Sequence, residues 1–157
     1  MTNKDVTLRD FVEEDIDQVV ALTEELGLSR WSREDYLAEL ARSDSHMHVA
    51  LRLEKLIGFI VGRNIPGSRD ETGLDAEIYN IGVHRSEQGS GVGRVLLCSV
   101  LDECRRKNVQ LVWLEVRVKN ANAISFYEKA GFTQFAARPK FYTDPPDDGI
   151  VMRLSLV

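Results

Sequence analysis

Residues 74–106 read LDAEIYNIGVHRSEQGSGVGRVLLCSVLDECRR, and this stretch decides the fold. Leu74 to His84 has the composition of a strand, and Arg85 to Gly89 turn polar. From Gly91 to about Arg106, Val92, Val95, Leu96, Val100 and Leu101 recur at helical spacing. The strand therefore hands over to a helix through Gln88-Gly89-Ser90-Gly91-Val92-Gly93. Glycines let backbone approach a ligand closely, and free N–H groups at a helix start attract anions. A pyrophosphate is the obvious guest. A dinucleotide-binding fingerprint needs G-x-G-x-x-G, whereas this loop is G-x-G-x-G. A Walker loop needs a Gly-Lys-Ser/Thr ending, which is missing. Taken alone, the loop is equally well read as a turn with no ligand.

Downstream, Leu111 to Val118 (LVWLEVRV) is a strand dense in β-formers. Asn120 to Ala130 reads as a short helix closed by Gly131, which suits the left-handed residue after a helix. Strands near Phe132 to Pro139 and Gly149 to Leu156 flank a Pro-Pro-Asp-Asp turn. Upstream, Val6 to Phe11 reads as a strand. Ile16, Val19, Val20, Leu22 and Leu26 then mark a helix that stops at Gly27. Ser32 as N-cap, with Glu34 and Asp35 behind it, starts a second helix running to about Ala41. Met47 to Leu53 and Leu56 to Arg63 are two strands joined by a tight Glu54-Lys55 connection, followed by a polar loop from Asn64 to Gly73. The order β-α-α-β-β-β-α-β-α-β-β, with no repeat or linker, predicts one α/β domain over residues 1–157.

Composition narrows the function. The chain has 157 residues, 43% hydrophobic and 29% charged, with 20 basic against 25 acidic residues and a formal net charge of −5. A domain this size buries roughly 70% of its unfolded surface. Duplex nucleic acid is a poor partner for a chain with no basic excess, because phosphate contacts supply most of such affinity. An acidic surface instead suits a cationic partner. Cys98 and Cys104 on one helix lie about 9 Å apart along its axis, beyond disulfide reach. Both read as buried thiols in a reducing cytoplasm. The start carries no signal-peptide core, and no run is long enough to span a membrane. His46, His48 and His84 are scattered, without metal-ligand spacing, so no metal is expected.

Two motifs in register carry a family resemblance. Gln88, Gly91 and Gly93 fill the pattern of motif A of the Gcn5-related N-acetyltransferases: Gln or Arg, two residues, Gly, one residue, Gly or Ala. Residues 120–132, NANAISFYEKAGF, resemble motif B of the same superfamily, in the expected order and at the expected distance. The resemblance runs from about Val6 to the end and is strongest from Asn80. Within the superfamily the chain is most similar to the ribosomal-protein-alanine N-acetyltransferases, the RimI group. That similarity rests on Trp31-Ser32, Asn80-Ile81, the run from Trp113 to Arg117, Phe141-Tyr142 after Arg138, and Ile150-Val151-Met152. Two departures stand beside the loop: His84-Arg85 replaces a frequent Asp-Pro, and Glu87 replaces a frequent aromatic.

The resemblance implies a mixed, mostly antiparallel sheet flanked by helices, and acetyl-CoA as co-substrate. Backbone groups of Ile81, Gly82 and Val83 would hold the pantetheine arm with help from Asn120. Gln88, Gly89, Ser90, Gly91, Val92, Gly93 and Arg94 would hold the pyrophosphate. Glu115 matches the family's general base, with Glu77 as a rival. Tyr127 matches the general acid for the departing thiolate. Trp31 and Tyr142 would shape the acceptor pocket with Phe141. The residues alone leave alternatives: Glu115 as a salt-bridge partner of Arg117, and Tyr127, Phe141 and Trp31 as core packing. The acceptor implied is the N-terminal α-amine of a protein, with a ribosomal protein as one candidate. Alternatives are a small amine such as a polyamine or aminoglycoside, or a non-catalytic acyl-CoA-binding module.

Overall fold

The chain is described by a computed structural model covering residues 5–28 and 31–157. Seven strands, β1 (Val6–Asp10), β2 (Ser45–Arg52), β3 (Lys55–Pro66), β4 (Leu74–Val83), β5 (Val109–Arg117), β6 (Thr133–Thr143) and β7 (Pro146–Ser155), form one sheet in the order β1-β2-β3-β4-β5-β7-β6. The helices are α1 (Ile16–Leu26), α2 (Arg33–Leu40), α3 (Val92–Arg106) and α4 (Ala121–Lys129). Every neighbouring pair is antiparallel except β4 and β5. That one parallel pair needs a crossover connection, and α3 supplies it.

Alternation along the strands sends apolar side chains to two separate cores. Ala76 and Ile78 of β4 with Val112, Leu114 and Val116 of β5 pack against Val92, Leu96, Leu97, Val100, Leu101 and Cys104 of α3 and against Tyr127 of α4. On the other face, Met47, Val49, Phe59 and Val61 pack against Ile16, Val19 and Leu22 of α1 and Tyr36 of α2. Local chemistry sets several helix ends. Ser32 Oγ accepts from the Asp35 amide while Asp35 returns to the Ser32 amide, which closes a capping box. Gly27 ends α1 in the left-handed region at φ 65°.

The structure moves three expectations. β3 continues through Asn64 and Ile65 to Pro66, because these residues find partners in Ala76, Asp75 and Leu74, and Pro66 sits at the strand end where a missing N–H is tolerated. The C-terminal hairpin is longer than expected, with Pro146 and the following aspartates already inside β7. Within it the register jumps from Arg138↔Gly149 to Tyr142↔Asp147, so Pro139, Lys140 and Phe141 bulge out, with Lys140 at φ 55° and its amide donating to Asp148 Oδ1. Cys98 is exposed rather than core. It shares a helix row with Arg94 and Asp102 on the solvent side of α3, while Cys104 is buried and its thiol is pushed up to about 11 by burial.

Candidate active site

The parallel pairing of β4 and β5 runs only from Leu74↔Val109 to Glu77↔Trp113. Beyond it β5 stays bonded to β7 as far as Arg117, while β4 follows β3 to Val83. A bulge sits at the parting. Val61 pairs with Asn80 and Gly62 with Ile78, so Tyr79 is the extra residue of β4. A bulge bends its strand, which swings β4 away from β5. The result is a wedge whose β4 wall, Ile78–Val83, has no strand partner on the β5 side. Ile81, Gly82 and Val83 lie on this wall. Gly82 has a packing role as well: a Cβ there would stand 2.7 Å from the Phe59 ring and 2.9 Å from Leu28.

The glycine loop closes the open end of the wedge. Gly89 and Gly91 have φ of 80° and 93°, in the region that favours glycine. The first helical bond of α3 runs from the Val95 amide to the Gly91 carbonyl, so the amides of Val92, Gly93 and Arg94 have no helical acceptor. Gln88 Nε2 donates to the Val83 carbonyl at 3.0 Å and fixes the loop to β4. Ser90 Oγ donates to the Glu87 carbonyl. At Gly93 a Cβ would lie 3.4 Å from the Phe126 ring, so the loop and α4 face each other across the mouth. Asn120 caps α4, its Oδ1 accepting from the Ala123 amide. Both departures from the family pattern are locally compensated. His84 Nδ1 accepts from the Ser86 amide, Arg85 donates to the Glu25 carbonyl of α1, and buried Glu87 is paired with Arg52 at 3.0 Å.

Two carboxylates meet at the inner end. Glu77 and Glu115 line one cavity of about 270 Å³ with Asp75, Trp113 and Val151. Glu115 Oε1 accepts from Arg138 Nη1 at 2.5 Å, and its buried Oε2 has no partner. Arg117 is not the partner of Glu115. It donates to the Pro145 and Asp144 carbonyls and lies 4.3 Å over the Tyr142 ring, which holds the hairpin end. Burial, and then the Glu115 charge, push the Glu77 carboxyl above the ordinary range. Tyr127 is buried between the Phe126 and Phe132 rings at 5.2 and 5.7 Å. Burial holds its phenol well above the usual value, so it stays protonated. Burial and the Glu115 charge raise Tyr142 in the same direction.

Trp31 packs 5.2 Å from the Tyr36 ring and 5.9 Å from the Tyr79 ring, so it belongs to the α1–α2 core and also flanks β4. The sequence reading missed the roles of Arg138 and Tyr79. Tyr79 follows Glu77 by one strand period, and its hydroxyl works against burial by lowering the pKa of that carboxyl. That alternation was the available signal. It also missed Glu103, which reaches His46 and His48 from 55 residues or more away in sequence.

Comparison with known proteins gives three likenesses besides a family match. The acetyltransferase (GNAT) family pattern matches residues 14–132. The ribosomal protein bS18-alanine N-acetyltransferase of Escherichia coli K12 is 40% identical over 84 residues, which are 52% of this chain and 57% of that protein. The chain thus spans little more than half the length of the first curated relatives it matches. The crystal structure of the E. coli ribosomal-protein-S18-alanine N-acetyltransferase superposes with a TM-score of 0.83 at 26% identity, covering 96% of this chain and 94% of that one. Arabidopsis thaliana Naa50, solved with the bisubstrate analogue CoA-Ac-MVNAL, gives 0.84 at 26% identity, covering 97% and 99%.

Proposed function

Because the chain belongs to the acetyltransferase (GNAT) family, we propose that it transfers acetyl from acetyl-CoA to the N-terminal α-amine of a protein in a ternary complex, and does so in the cytoplasm. The observation that carries the reading is the wedge, with free first-turn amides at one end and Glu77 and Glu115 at the other. The likeness to a bS18-alanine enzyme and to Naa50 supports the choice of acceptor.

The residues suit the task. The β4 wall offers unpaired backbone amides and carbonyls to the amide-rich pantetheine arm of acetyl-CoA, and the α3 start offers N–H groups and dipole to its pyrophosphate. Holding donor and acceptor side by side supplies much of the rate. Glu115 is the base that takes a proton from the incoming ammonium, directly or through water, with Glu77 next to it. Tyr127, kept protonated, gives its proton to the departing thiolate. An α-amine with pKa near 7.8 is roughly one-seventh neutral at pH 7, whereas a lysine near 10.4 is neutral roughly once in 2,500. A modest base therefore suffices for an N-terminus.

Incubation with acetyl-CoA and peptides blocked at either lysine or the N-terminus, read by mass, tests the acceptor. Modification of the lysine-blocked set is expected. Transfer only to N-terminally blocked peptides, or only to small amines, would refute it. Tyr127→Phe is expected to lower kcat by about 10²-fold or more with CoA affinity retained.

A further inference from the structure

One of the two departures beside the glycine loop puts an acid at the root of an anion-receptive helix start. Glu87 ends the single 3-10 turn Arg85–Glu87, directly before Gln88, and is only 8% exposed. Its backbone is part of the loop's scaffold. The Glu87 carbonyl accepts from the Ser90 amide and hydroxyl, and the Glu87 amide donates to the His84 carbonyl at 2.8 Å. An unpaired carboxylate here would be costly to bury, and its charge would repel a pyrophosphate at the α3 start.

Arg52 answers that charge. Its Nε donates to the two Glu87 oxygens at 3.1 and 3.2 Å, and its Nη2 lies 3.0 Å from Oε1. Arg52 comes from a fixed support. It ends β2 and pairs with Lys55 across Leu53 and Glu54, whose φ of 51° and 63° suit a two-residue hairpin turn. The same hairpin is bonded to the end of β4: Gly58 pairs with Val83, and the His84 amide donates to the Ile57 carbonyl at 2.8 Å. The neighbouring Arg85 is turned the other way, to the Glu25 carbonyl at 2.9 Å.

A pair that only ties the hairpin to the turn suffers alike when either partner is lost, because each loss leaves one buried charge unanswered. A counter-ion beside an anion site behaves differently. Losing the Arg leaves a negative charge at the loop, whereas losing the Glu leaves a positive one. The placement fits the second role, since Glu87 lies one residue from Gln88 and bonds Ser90, within the segment 88–94.

We propose that Arg52 is a positioning residue for acetyl-CoA, acting through Glu87: as its counter-ion it cancels the negative charge at the root of the loop and so lets the pyrophosphate bind. This role rests on the reading that residues 88–94 hold the pyrophosphate. It is independent of the choice of acceptor.

Calorimetric titration of the full chain with CoA tests this without an acceptor. Arg52→Gln and Glu87→Gln break the same pair, yet opposite outcomes are expected. Arg52→Gln weakens CoA binding about tenfold, while Glu87→Gln leaves it unchanged or tightens it by up to about tenfold. Arg52→Lys, which keeps the charge, and the double variant Arg52→Gln with Glu87→Gln, which removes both, are expected within about threefold of the wild type. A thermal scan of each variant shows that it is folded at the titration temperature. Equal losses in the two single variants overturn the proposal and leave a structural pair only, and so does wild-type affinity in Arg52→Gln. If Arg52→Gln does not fold, Glu87→Gln decides alone, and weaker binding there overturns the proposal. A wild type that binds no CoA fails at the earlier step, the reading of the loop itself, and takes the proposal with it.

Discussion

The face of the sheet turned away from α3 has two halves. Over β1 to β4 it is closed by α1 and α2, with Tyr36 and Phe59 fully buried there. Over β5, β7 and β6 the same face carries Trp113, Glu115, Val151 and Arg153 toward solvent, with no helix on it among the described residues. Aromatic packing fills the first half: Phe11 stacks on Tyr36 at 5.6 Å and Phe59 meets it edge-on at 6.4 Å. In the second half aromatics are screened by cations instead, with Arg153 over Phe135 at 4.3 Å and Arg138 over Phe141 at 4.8 Å. The boundary falls where β4 leaves β5, and Glu77, Tyr79 and Trp31 stand along it. The covered half is packed for stability, and the bare half is where the proposed acceptor would sit.

That division makes opposite demands on turnover and stability. Glu115→Gln, on the bare half, is expected to lower kcat/KM by about 10²–10⁴-fold. Its Tm is expected to move by no more than roughly 2–4 °C, since an ion pair with half-exposed Arg138 contributes about 1 kcal/mol or less. Peptide acetylation and a thermal scan on the same sample check both, and a large stability loss with intact turnover would reverse the comparison. Tyr36→Ala, on the covered half, is expected to cost about 3–5 kcal/mol in denaturant unfolding. Gly82→Val strains the contact of β4 with Phe59 and Leu28, at about 1–3 kcal/mol, with acetyl-CoA affinity falling as the wall shifts.

The smallest effect lies at the boundary. Glu77 has a folded pKa above its unfolded value, so it favours the folded state below the unfolded pKa, near 4.5, and that contribution is lost as pH rises through the folded pKa. Glu77→Gln is therefore expected to be more stable than the wild type at pH 7, with the difference shrinking toward pH 4. Paired Tm measurements across that range check it. A difference that grows toward acid pH would contradict the assignment.

Most of the architecture was legible because it is local. The 3.6-residue period of Val92 to Leu101, the Ser32 cap and the Gly27 and Gly131 stops each need only neighbouring residues. Strand ends were less legible. Asn64 to Pro66 is polar and Pro-bearing, and only its pairing with Leu74 to Ala76 makes it strand. The glycine loop and the positions of Glu115 and Tyr127 could be named from sequence motifs, and the structure brings Glu115 to the inner end of the wedge. The partner of Glu115 could not be named. Arg117 shares its face two residues away, but the hairpin carbonyls and Tyr142 hold that guanidinium, leaving Arg138 to cross from β6.

Sequence alone determined the element order, the family, the anion-receptive helix start and an acidic balance suited to a cationic acceptor, because periodicity, glycine spacing and net charge are carried by the chain itself. Tertiary structure alone decided where β4 parts from β5, that Glu77 and Glu115 share a cavity, and that His48 meets Glu103. Each of those depends on strand register and on helix placement across the sheet. A one-residue bulge at Tyr79 is enough to set the first, and no local pattern encodes it.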